Sequence, residues 1–536
     1  MEQIKLLDCT LRDGGYINDW KFGRRTIQNV IARLVDAGTD FIEVGFLRNV
    51  TYDEDRTLYN SIEELTRILP ENRKKSTFVA MALHDQYDVS KLAENDGTIG
   101  AVRVTFHDYD IDEGLEFCRR VMDKGYPLFV NPINIMGYPD DTLLRLLEKV
   151  NRLDPYGFSI VDTFGSMTKA ELTRIYSLLE NNLDPKIVFG VHLHENLALS
   201  FSLAQVYLEL RKYQRRSVLD ASLNGMGRVP GNLCMELIMD FLNRQYGTAY
   251  DIDYVLDAIE EHILPIKKEE PWGYQTEYFL SAKYNLHRNY AEYLMEKGNL
   301  TTKEIKYLLK QLPKEKKAAF DRDYMERLYQ EHENKRVSDE ESLNRLKGWF
   351  GGRKVLLLAP GKSLERPETK KRILDYLKEE EAVLVTTNFY YDGQQGGAAF
   401  FSNARRLEEY RAFRPKESRL ILTSNLEGHG ETADYVINYE RLVGSGGERC
   451  ENSGILLLRL MGICKVREAA LAGFDGFQKD GQNYMDGYFG AFPGARAEDN
   501  DRIAGCIEKL ENVMSVRFLT PSRYDRNSEA AGLRLE

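Results

Sequence analysis

The sequence predicts an α/β protein: a (β/α)8 TIM barrel, then a helical extension, then a second α/β domain on an open sheet. Three observations carry this. From residue 4 to about 250, short β-rich runs alternate with amphipathic stretches eight times, which is the count and length of a closed parallel barrel. An open doubly wound sheet also alternates but rarely needs eight parallel strands in a row. At 536 residues the chain exceeds one ordinary domain. A fresh apolar run at Lys354–Ala359 restarts the alternation after a stretch with no strand signal.

The predicted barrel strands are Ile4–Thr10, Asp40–Phe46, Ser76–Leu83, Ala101–His107, Pro127–Ile135, Gly157–Thr163, Lys186–His194 and Val218–Gly225. Amphipathic helices are predicted over Arg25–Ala37, Glu113–Lys124, Asp140–Arg152, Lys169–Asn181 and Ser200–Arg211. Residues 1–250 are thus the catalytic barrel. Residues 251–345 are dense in Tyr and Lys, and Tyr278–Glu296, Thr302–Gln311 and Arg322–Glu333 read as helices of an extension. Residues 346–518 form the second domain, with strands at Lys354–Ala359, Ala382–Thr386, Arg419–Thr423, Tyr435–Asn438 and Glu468–Gly473. Residues 519–536 are expected to be a flexible tail.

Composition excludes several classes. With 43% hydrophobic and 29% charged residues the chain is an ordinary globular protein. Its net charge of −11 offers no basic field for nucleic acid or an anionic membrane. No apolar run reaches the length of a membrane span, and the N-terminal apolar stretch is too brief for a secretory signal, so a cytoplasmic location is expected. The six cysteines, Cys9, Cys118, Cys234, Cys450, Cys464 and Cys506, contain no CxxC pair and read as small buried apolar residues.

The stretch around which the chain is organised is Leu6-Leu7-Asp8-Cys9-Thr10-Leu11-Arg12-Asp13-Gly14-Gly15-Tyr16. It displays Arg12 and Asp13 at the C-terminal end of the first strand, where barrel enzymes carry their chemistry. Taken alone it reads equally as a strand end closed by a structural ion pair. At the seventh strand end, His192-Leu193-His194 places two imidazoles on one side of a strand. With Asp13 they make a facial two-His, one-carboxylate set for a divalent cation, and Mn²⁺, Co²⁺, Mg²⁺ and Zn²⁺ all suit it. The glycine-rich segment Asp220–Asn232 follows the eighth strand. Asn232 offers an amide oxygen to the metal or to the groups around it; the plainer alternative is a surface turn.

Together with Ile42-Glu43-Val44-Gly45, Arg103-Val104-Thr105-Phe106-His107 and Val161-Asp162-Thr163-Phe164-Gly165-Ser166-Met167, these motifs resemble the DRE-TIM metallolyases, within them most closely the 4-hydroxy-2-oxovalerate aldolases. The likeness covers roughly the first 290 residues and also takes in Pro271–Tyr278. It implies an HMGL-like, pyruvate carboxyltransferase-type barrel and a lyase acting through a metal-bound enolate of pyruvate type, on a 2-oxo acid and an aldehyde. It assigns the metal to Asp13, His192, His194 and Asn232, enolate stabilisation to Arg12, and the orientation of Arg12 to Glu43. The metal it implies is a divalent cation, Mn²⁺ foremost. The chain departs from the pattern at Tyr16, where the pyruvate aldolases carry a His that handles the substrate hydroxyl. The proton then falls to Tyr16, Tyr274, Tyr278, His107 or a metal-bound water. The resemblance also implies a homo-oligomer.

In the second domain, Leu358-Ala359-Pro360-Gly361-Lys362-Ser363-Leu364 lacks P-loop spacing; it reads either as a phosphate cradle or as a structural βα turn. The order of Thr386–Tyr390, Glu451–Ile455 and Leu471–Gly476 is similar to sialyltransferase-like and motility-accessory-factor domains, which implies a Rossmann-like sheet that takes a nucleotide or activated sugar, and a link to polysaccharide or unusual-sugar metabolism. His429, in a glycine-flanked loop, reads as a base there or as a solvated side chain. Two other functions stay open at this point: a Claisen-type acyl-CoA synthase or lyase on the same barrel, and a non-catalytic barrel whose second domain carries the function.

Overall fold

The computed structural model describes residues 3–211, 215–392, 394, 396–444, 449–478, 483–488 and 499–526. It resolves into two compact units, residues 1–291 with 313–320, and residues 292–312 with 321–536.

The first unit is a closed parallel barrel. Its strands are β1 (Ile4–Asp8), β2 (Phe41–Leu47), β3 (Thr77–Leu83), β4 (Ala101–Phe106), β5 (Leu128–Pro132), β6 (Gly157–Asp162), β7 (Val188–Leu193) and β8 (Ser217–Ala221). Each pairs with its sequence neighbours, and β1 closes the ring on both β2 and β8. Long helices follow five of the strands: α1 (Arg24–Asp36) after β1, α2 (Ile111–Asp123) after β4, α3 (Asp140–Leu153) after β5, α4 (Lys169–Asn182) after β6 and α5 (Ser200–Leu210) after β7. A sixth, α6 (Met235–Tyr246), follows β8. After β2 the crossover holds a two-residue strand, Leu58–Tyr59, paired with β2, and a short turn of helix, Ile62–Leu65; after β3 it holds the short turn Val89–Lys91. That is why no amphipathic pattern is legible there.

The alternation of strand side chains sets what the barrel holds. Leu6, Ile42, Phe78, Val102, Leu128 and Phe158 point outward and pack with the helices into one continuous core. Leu7, Phe41, Val79, Ala101, Phe129 and Val218 point inward and plug the N-terminal end. Two residues further along three of those strands stand Glu43, Arg103 and Asp220, each buried. The interior therefore changes from hydrocarbon at the bottom to charge near the mouth. The β2–β3 register shifts between Glu43 and Phe46, and Phe46 joins Trp20, Leu58, Met81 and Leu83 in a separate apolar group.

The second unit is an open, all-parallel sheet of seven strands: β9 (Lys354–Leu358), β10 (Val383–Thr387), β11 (Ala398–Phe401), β12 (Arg419–Thr423), β13 (Tyr435–Ile437), β14 (Glu468–Ala472) and β15 (Ser515–Phe518). Its order is β13-β12-β11-β10-β9-β14-β15. The helices α7 (Pro367–Glu379), α8 (Ser453–Ile463) and α9 (Asp499–Glu511) belong to it. β11 and β15 are absent from the predicted strands; Ala-Ala-Phe-Phe is too short to show a period, and β15 is a half-exposed edge strand.

Three expectations need correcting. The single helix expected over Tyr278–Glu296 is two, Thr276–Lys283 and Asn289–Glu296, broken where Asn285 takes a left-handed φ of 51°. Of the expected flexible tail, Leu519, Thr520, Ser522 and Tyr524 are buried in the second unit, and Leu519 N–H bonds the carbonyl of Leu471 at 2.8 Å; residues 527–536 lie outside the described residues. The phosphate-cradle alternative for Pro360–Leu364 fails because that turn spends its donors internally. Gly361 N–H bonds the Ala359 carbonyl and Leu364 N–H the Gly361 carbonyl, while Ser363 N–H, at 2.7 Å, and its hydroxyl both bond the Asp475 carboxylate. Lys362 is held by Glu365 and Asp486. No described helix is long and apolar enough to cross a membrane, and all six cysteines are free.

Candidate metal centre in the barrel mouth

Arg12 and Asp13 lie just past the first strand rather than on it. β1 ends at Asp8, whose buried carboxylate bonds Thr10 N–H (3.0 Å) and Thr10 Oγ1 (2.8 Å) and so starts a single helical turn, Thr10–Asp13. Burial pushes the Asp8 carboxyl up to about 7 against those two bonds. The Thr10 hydroxyl in turn accepts the Leu223 N–H at 2.9 Å, tying the turn to the loop after β8. The result is to bury Arg12 and Asp13 side by side over the barrel axis.

Asp13, His192 and His194 offer one ligand atom each, all within 4.8 Å of one another, and all three residues are buried. His192 and His194 have ring centroids 4.9 Å apart and nearly perpendicular planes. His192 lies in β7, and His194, two residues on, forms an isolated bridge with Asn232. Burial pushes the His194 imidazole down to about 3, the nearby Asp13 only partly offsetting it. The ring is therefore neutral at physiological pH, the form that binds a cation. Burial alone would raise Asp13, but Arg12 and the two imidazoles hold it well below the ordinary carboxylate range. His192 Nδ1 stands 3.1 Å from Asp220 Oδ2, which leaves Nε2 for the cluster and fixes the ring as carboxylates behind metal-binding imidazoles do.

The loop after β8 closes the centre from above. Asn232 Nδ2 donates to Asp13 Oδ2 at 2.9 Å, and the Arg228 N–H donates to the same oxygen at 3.1 Å. Asn232 Oδ1 is buried without a partner, an acceptor a cation would satisfy. Gly227 permits this approach: a Cβ there would lie 2.2 Å from Asn232 Nδ2 and 2.7 Å from Asp13 Oδ2. Two imidazoles, a carboxylate held ionised and an orphaned amide oxygen together fit a divalent cation.

Arg12 is anchored from several sides. Its Nε donates to Glu43 Oε2 at 2.7 Å, its Nη1 bonds Asp13, and its guanidinium lies 5.8 Å from the Phe46 ring centre. Trp20 Nε1 caps the Arg12 carbonyl at 2.8 Å. Burial opposes the charge, but Glu43 and Asp13 keep it. Glu43 Oε2 also accepts from Arg103 Nη1 at 3.1 Å, and Arg103 bonds Asp220. One buried chain of alternating charge thus runs Asp13, Arg12, Glu43, Arg103, Asp220 and ends at the His192 imidazole. Arg103 and Asp220 are the site residues missed in the sequence; the signal was a charged residue inside an otherwise apolar strand.

Tyr16 is 40% exposed at the rim, its ring edge-on to Trp20 at 4.8 Å, with the Arg228 guanidinium 6.0 Å above it. Arg228 Nη2 lies 2.5 Å from His287 Nε2, a second rim residue the sequence did not point to. Tyr274 is 56% exposed and Tyr278 is buried in the helix Thr276–Lys283. Among the described residues, no hydrogen bond or ion pair joins either to Arg12, Asp13 or the two imidazoles. His107 stacks on Tyr109 at 4.8 Å and faces Asp110.

Residues 3–261 match the HMGL-like family model. Over 274 residues the chain is 24% identical to a 4-hydroxy-2-oxovalerate aldolase of Marinomonas sp. (strain MWYL1), covering 49% of this chain and 78% of the relative. It is 26% identical over 278 residues to a 4-hydroxy-2-oxovalerate aldolase of Moorella thermoacetica, covering 49% and 77%, and 21% identical over 281 residues to an oxaloacetate decarboxylase of Mycobacterium tuberculosis, covering 50% and 80%. Among solved structures, an HMG-CoA lyase from Brucella melitensis aligns with a TM-score of 0.41 at 18% identity, over 48% of this chain and 96% of that one. The N-terminal half of the chain, residues 3–261, is thus an HMGL-like domain, and it carries a buried Asp-His-His group able to hold a metal ion.

Proposed function

We propose that the barrel is a metal-dependent aldolase that makes or cleaves the bond between a pyruvate-type 2-oxo acid and an aldehyde, through the enolate of the 2-oxo acid. The observation that carries this reading is the Arg12 guanidinium fixed beside the Asp13, His192, His194 cluster. Among the described residues its bonds use Nε and Nη1, so the two N–H groups on Nη2 remain for an oxyanion. Asp13, His192 and His194 would hold the cation, Mn²⁺ foremost, with Asn232 Oδ1 as a further ligand. When bound, the cation polarises the 2-oxo carbonyl as a Lewis acid.

In the cleavage direction a base takes the proton of the 4-hydroxyl and the carbon–carbon bond breaks. Its electron pair passes to the methylene carbon of the departing enolate, and the aldehyde leaves. Arg12 meets the negative charge on the enolate oxygen, and Glu43 keeps the guanidinium in that position. Tyr16, whose ring stands at the rim between Trp20 and Arg228, carries the hydroxyl proton in place of the imidazole used by the pyruvate aldolases. The names of two relatives support a common intermediate: cleavage of a 4-hydroxy-2-oxo acid and decarboxylation of oxaloacetate both leave the enolate of pyruvate.

The test is solvent deuterium exchange into the methyl group of pyruvate, followed by NMR, on chelator-treated protein with and without added Mn²⁺ or Co²⁺. Exchange that requires the metal is the expected result and needs no aldehyde. Absence of exchange with either metal overturns the pyruvate reading and moves the search to acyl-CoA donors.

A further inference from the structure

The second unit holds a cavity of about 600 Å³ at the carboxyl ends of its strands. From β9 the sheet grows through β10 to β13 on one side and through β14 and β15 on the other. Where growth reverses, successive connections leave in opposite directions and a crevice opens between them, the usual ligand position in open α/β sheets. Ala359 and Gly361 after β9 line it from one strand, and Gly473 and Phe474 after β14 from the other. Gly473 has a φ of 73°, and a Cβ there would fall 2.0 Å from the Ala359 carbonyl oxygen, so the two loops meet backbone to backbone.

The 11-residue helix α8 begins on this wall, at Ser453 and Gly454. Asn452 caps it, its side chain taking the Ile455 N–H at 3.2 Å and its carbonyl the Leu456 N–H at 2.9 Å. The Ser453 and Gly454 N–H groups have no partner among the described residues, and the helix dipole adds partial positive charge there. Side chains add donors. Asn388 Nδ2 donates to Ser453 Oγ at 2.7 Å, and Ser453 Oγ and Ser402 Oγ are 2.8 Å apart. Two hydroxyls share one bond, and the Asn388 amide already donates into the pair. Whichever way that bond runs, one hydroxyl proton is left without an acceptor among the described residues. Thr387, 3% exposed and on the same wall, has a buried Oγ1 with no partner. Lys297 and Arg406 also line the cavity, each next to a carboxylate, Glu326 and Glu409. Of the acidic wall residues, Glu451 is held by Arg449, Asp475 by Ser363 and Asp499 by Arg502, while Glu296 is exposed. Asn299 Oδ1 is a buried acceptor on the wall, but around the start of α8 the unpaired groups are donors.

We propose that this cavity is a nucleotide site, with the phosphate at the start of α8 and the base against Phe477 and Tyr484, half-buried rings that also line the cavity. A lone phosphate would fill little of such a volume, whereas small-ligand pockets run from about 300 to 1,000 Å³. The site needs nothing from the barrel and stands independently of its chemistry.

The test is calorimetric titration of the full chain with the four common nucleoside 5′-mono- and diphosphates, the matching nucleosides and inorganic phosphate. At least one nucleotide is expected to bind at least tenfold more tightly than its nucleoside and than inorganic phosphate. Ser453→Asp should weaken that binding at least tenfold, since a carboxylate suits a helix start but repels phosphate, while the circular dichroism spectrum, the Tm and pyruvate exchange stay unchanged. Thr387→Val, which keeps shape and removes only the orphaned hydroxyl, should weaken it severalfold. No nucleotide binding to the wild-type chain overturns the proposal. So does a nucleoside that binds as tightly as its nucleotide, or an S453D protein that binds normally. Inorganic phosphate binding as tightly as any nucleotide would make this an anion site and overturn the nucleotide assignment.

Discussion

At the scale of single residues, Arg12 and Gly227 separate charge stabilisation from metal binding. Arg12 touches Asp13 but is not a ligand in the cluster. Arg12→Ala should therefore lower pyruvate exchange by about 10²–10³, the usual cost of losing one oxyanion donor, with bound metal unchanged on elemental analysis. Arg12→Lys keeps the charge but loses the fork that reaches Glu43 and Asp13 together, so it should recover only part of the activity. Normal exchange by R12A would remove Arg12 from the chemistry. Gly227→Ala makes the opposite prediction. Its Cβ would fall 2.2 Å from Asn232 Nδ2 and 2.7 Å from Asp13 Oδ2, so either the loop or the carboxylate must move. Metal affinity should fall at least tenfold by competition with a chelating dye. Unchanged affinity would show that the loop after β8 does not shape the centre. Tyr16 belongs to neither class: Tyr16→Phe should leave pyruvate exchange intact while lowering aldol turnover about 10²-fold, the scale of one proton-transfer group.

At the scale of the elements, the charged chain from Asp13 to His192 links the turn after β1 to β2, β4, β7 and β8 inside the barrel. Buried ions are weak evidence for stability, but removing one member strands its partners. Arg103, 1% exposed, bonds both Glu43 and Asp220. Arg103→Met should thus destabilise the barrel by about 3–5 kcal/mol, read from urea unfolding, and also weaken metal binding, because Asp220 would no longer be held against His192. A change below about 1 kcal/mol would mean that the two carboxylates become protonated or find other partners. This chain also explains what was legible. Strands buried on both faces are apolar runs in any sequence, so all eight barrel strands could be placed to within a few residues. Asp13, His192 and His194 could be grouped because strand periodicity and barrel topology aim them at one mouth. Arg103 and Asp220 were written in the same motifs, but their roles depend on the pairing across five strands, which local pattern does not encode. His287 was hidden for a different reason: it reaches Arg228 from 59 residues away in sequence, through a turn between two helices that the sequence shows as one. Residues 519–526 look like a polar tail, and only the docking of Thr520, Ser522 and Tyr524 makes them part of a core.

At the scale of the whole molecule, the chain alternates between its two units, with residues 292–312 and everything from 321 onward in the second. Among the contacts that fasten the 292–312 segment into that unit is a buried carboxylate. Glu304 Oε1 lies 3.2 Å from His332 Nε2 and 3.1 Å from His429 Nε2, while Glu304 Oε2 takes the Thr301 N–H and hydroxyl, both at 2.8 Å. His429, read from sequence as a base or a solvated side chain, is thus a structural partner, with Glu408 3.6 Å from its Nδ1. The bond to Glu304 raises the His429 pKa above its ordinary value, burial and Lys335 working against it. Burial would raise Glu304, but the two imidazoles and the Thr301 cap hold it well below the ordinary carboxylate range. The signs set a window. A raised histidine contributes stability that is complete below its unfolded value of about 6.5 and is lost as pH rises through the folded one. A depressed glutamate contributes stability that is complete above its unfolded value of about 4.3 and is lost as pH falls through the folded one. The contribution of the pair is therefore greatest between about pH 4.3 and 6.5. Glu304→Gln keeps the shape and an acceptor but removes the charge, so it should lower the Tm of the second unit more at pH 6 than at a pH high enough to deprotonate His429, where either side chain accepts its N–H. Equal losses at the two pH values would show that the cluster acts as uncharged hydrogen bonds, and that a different contact fixes the 292–312 segment.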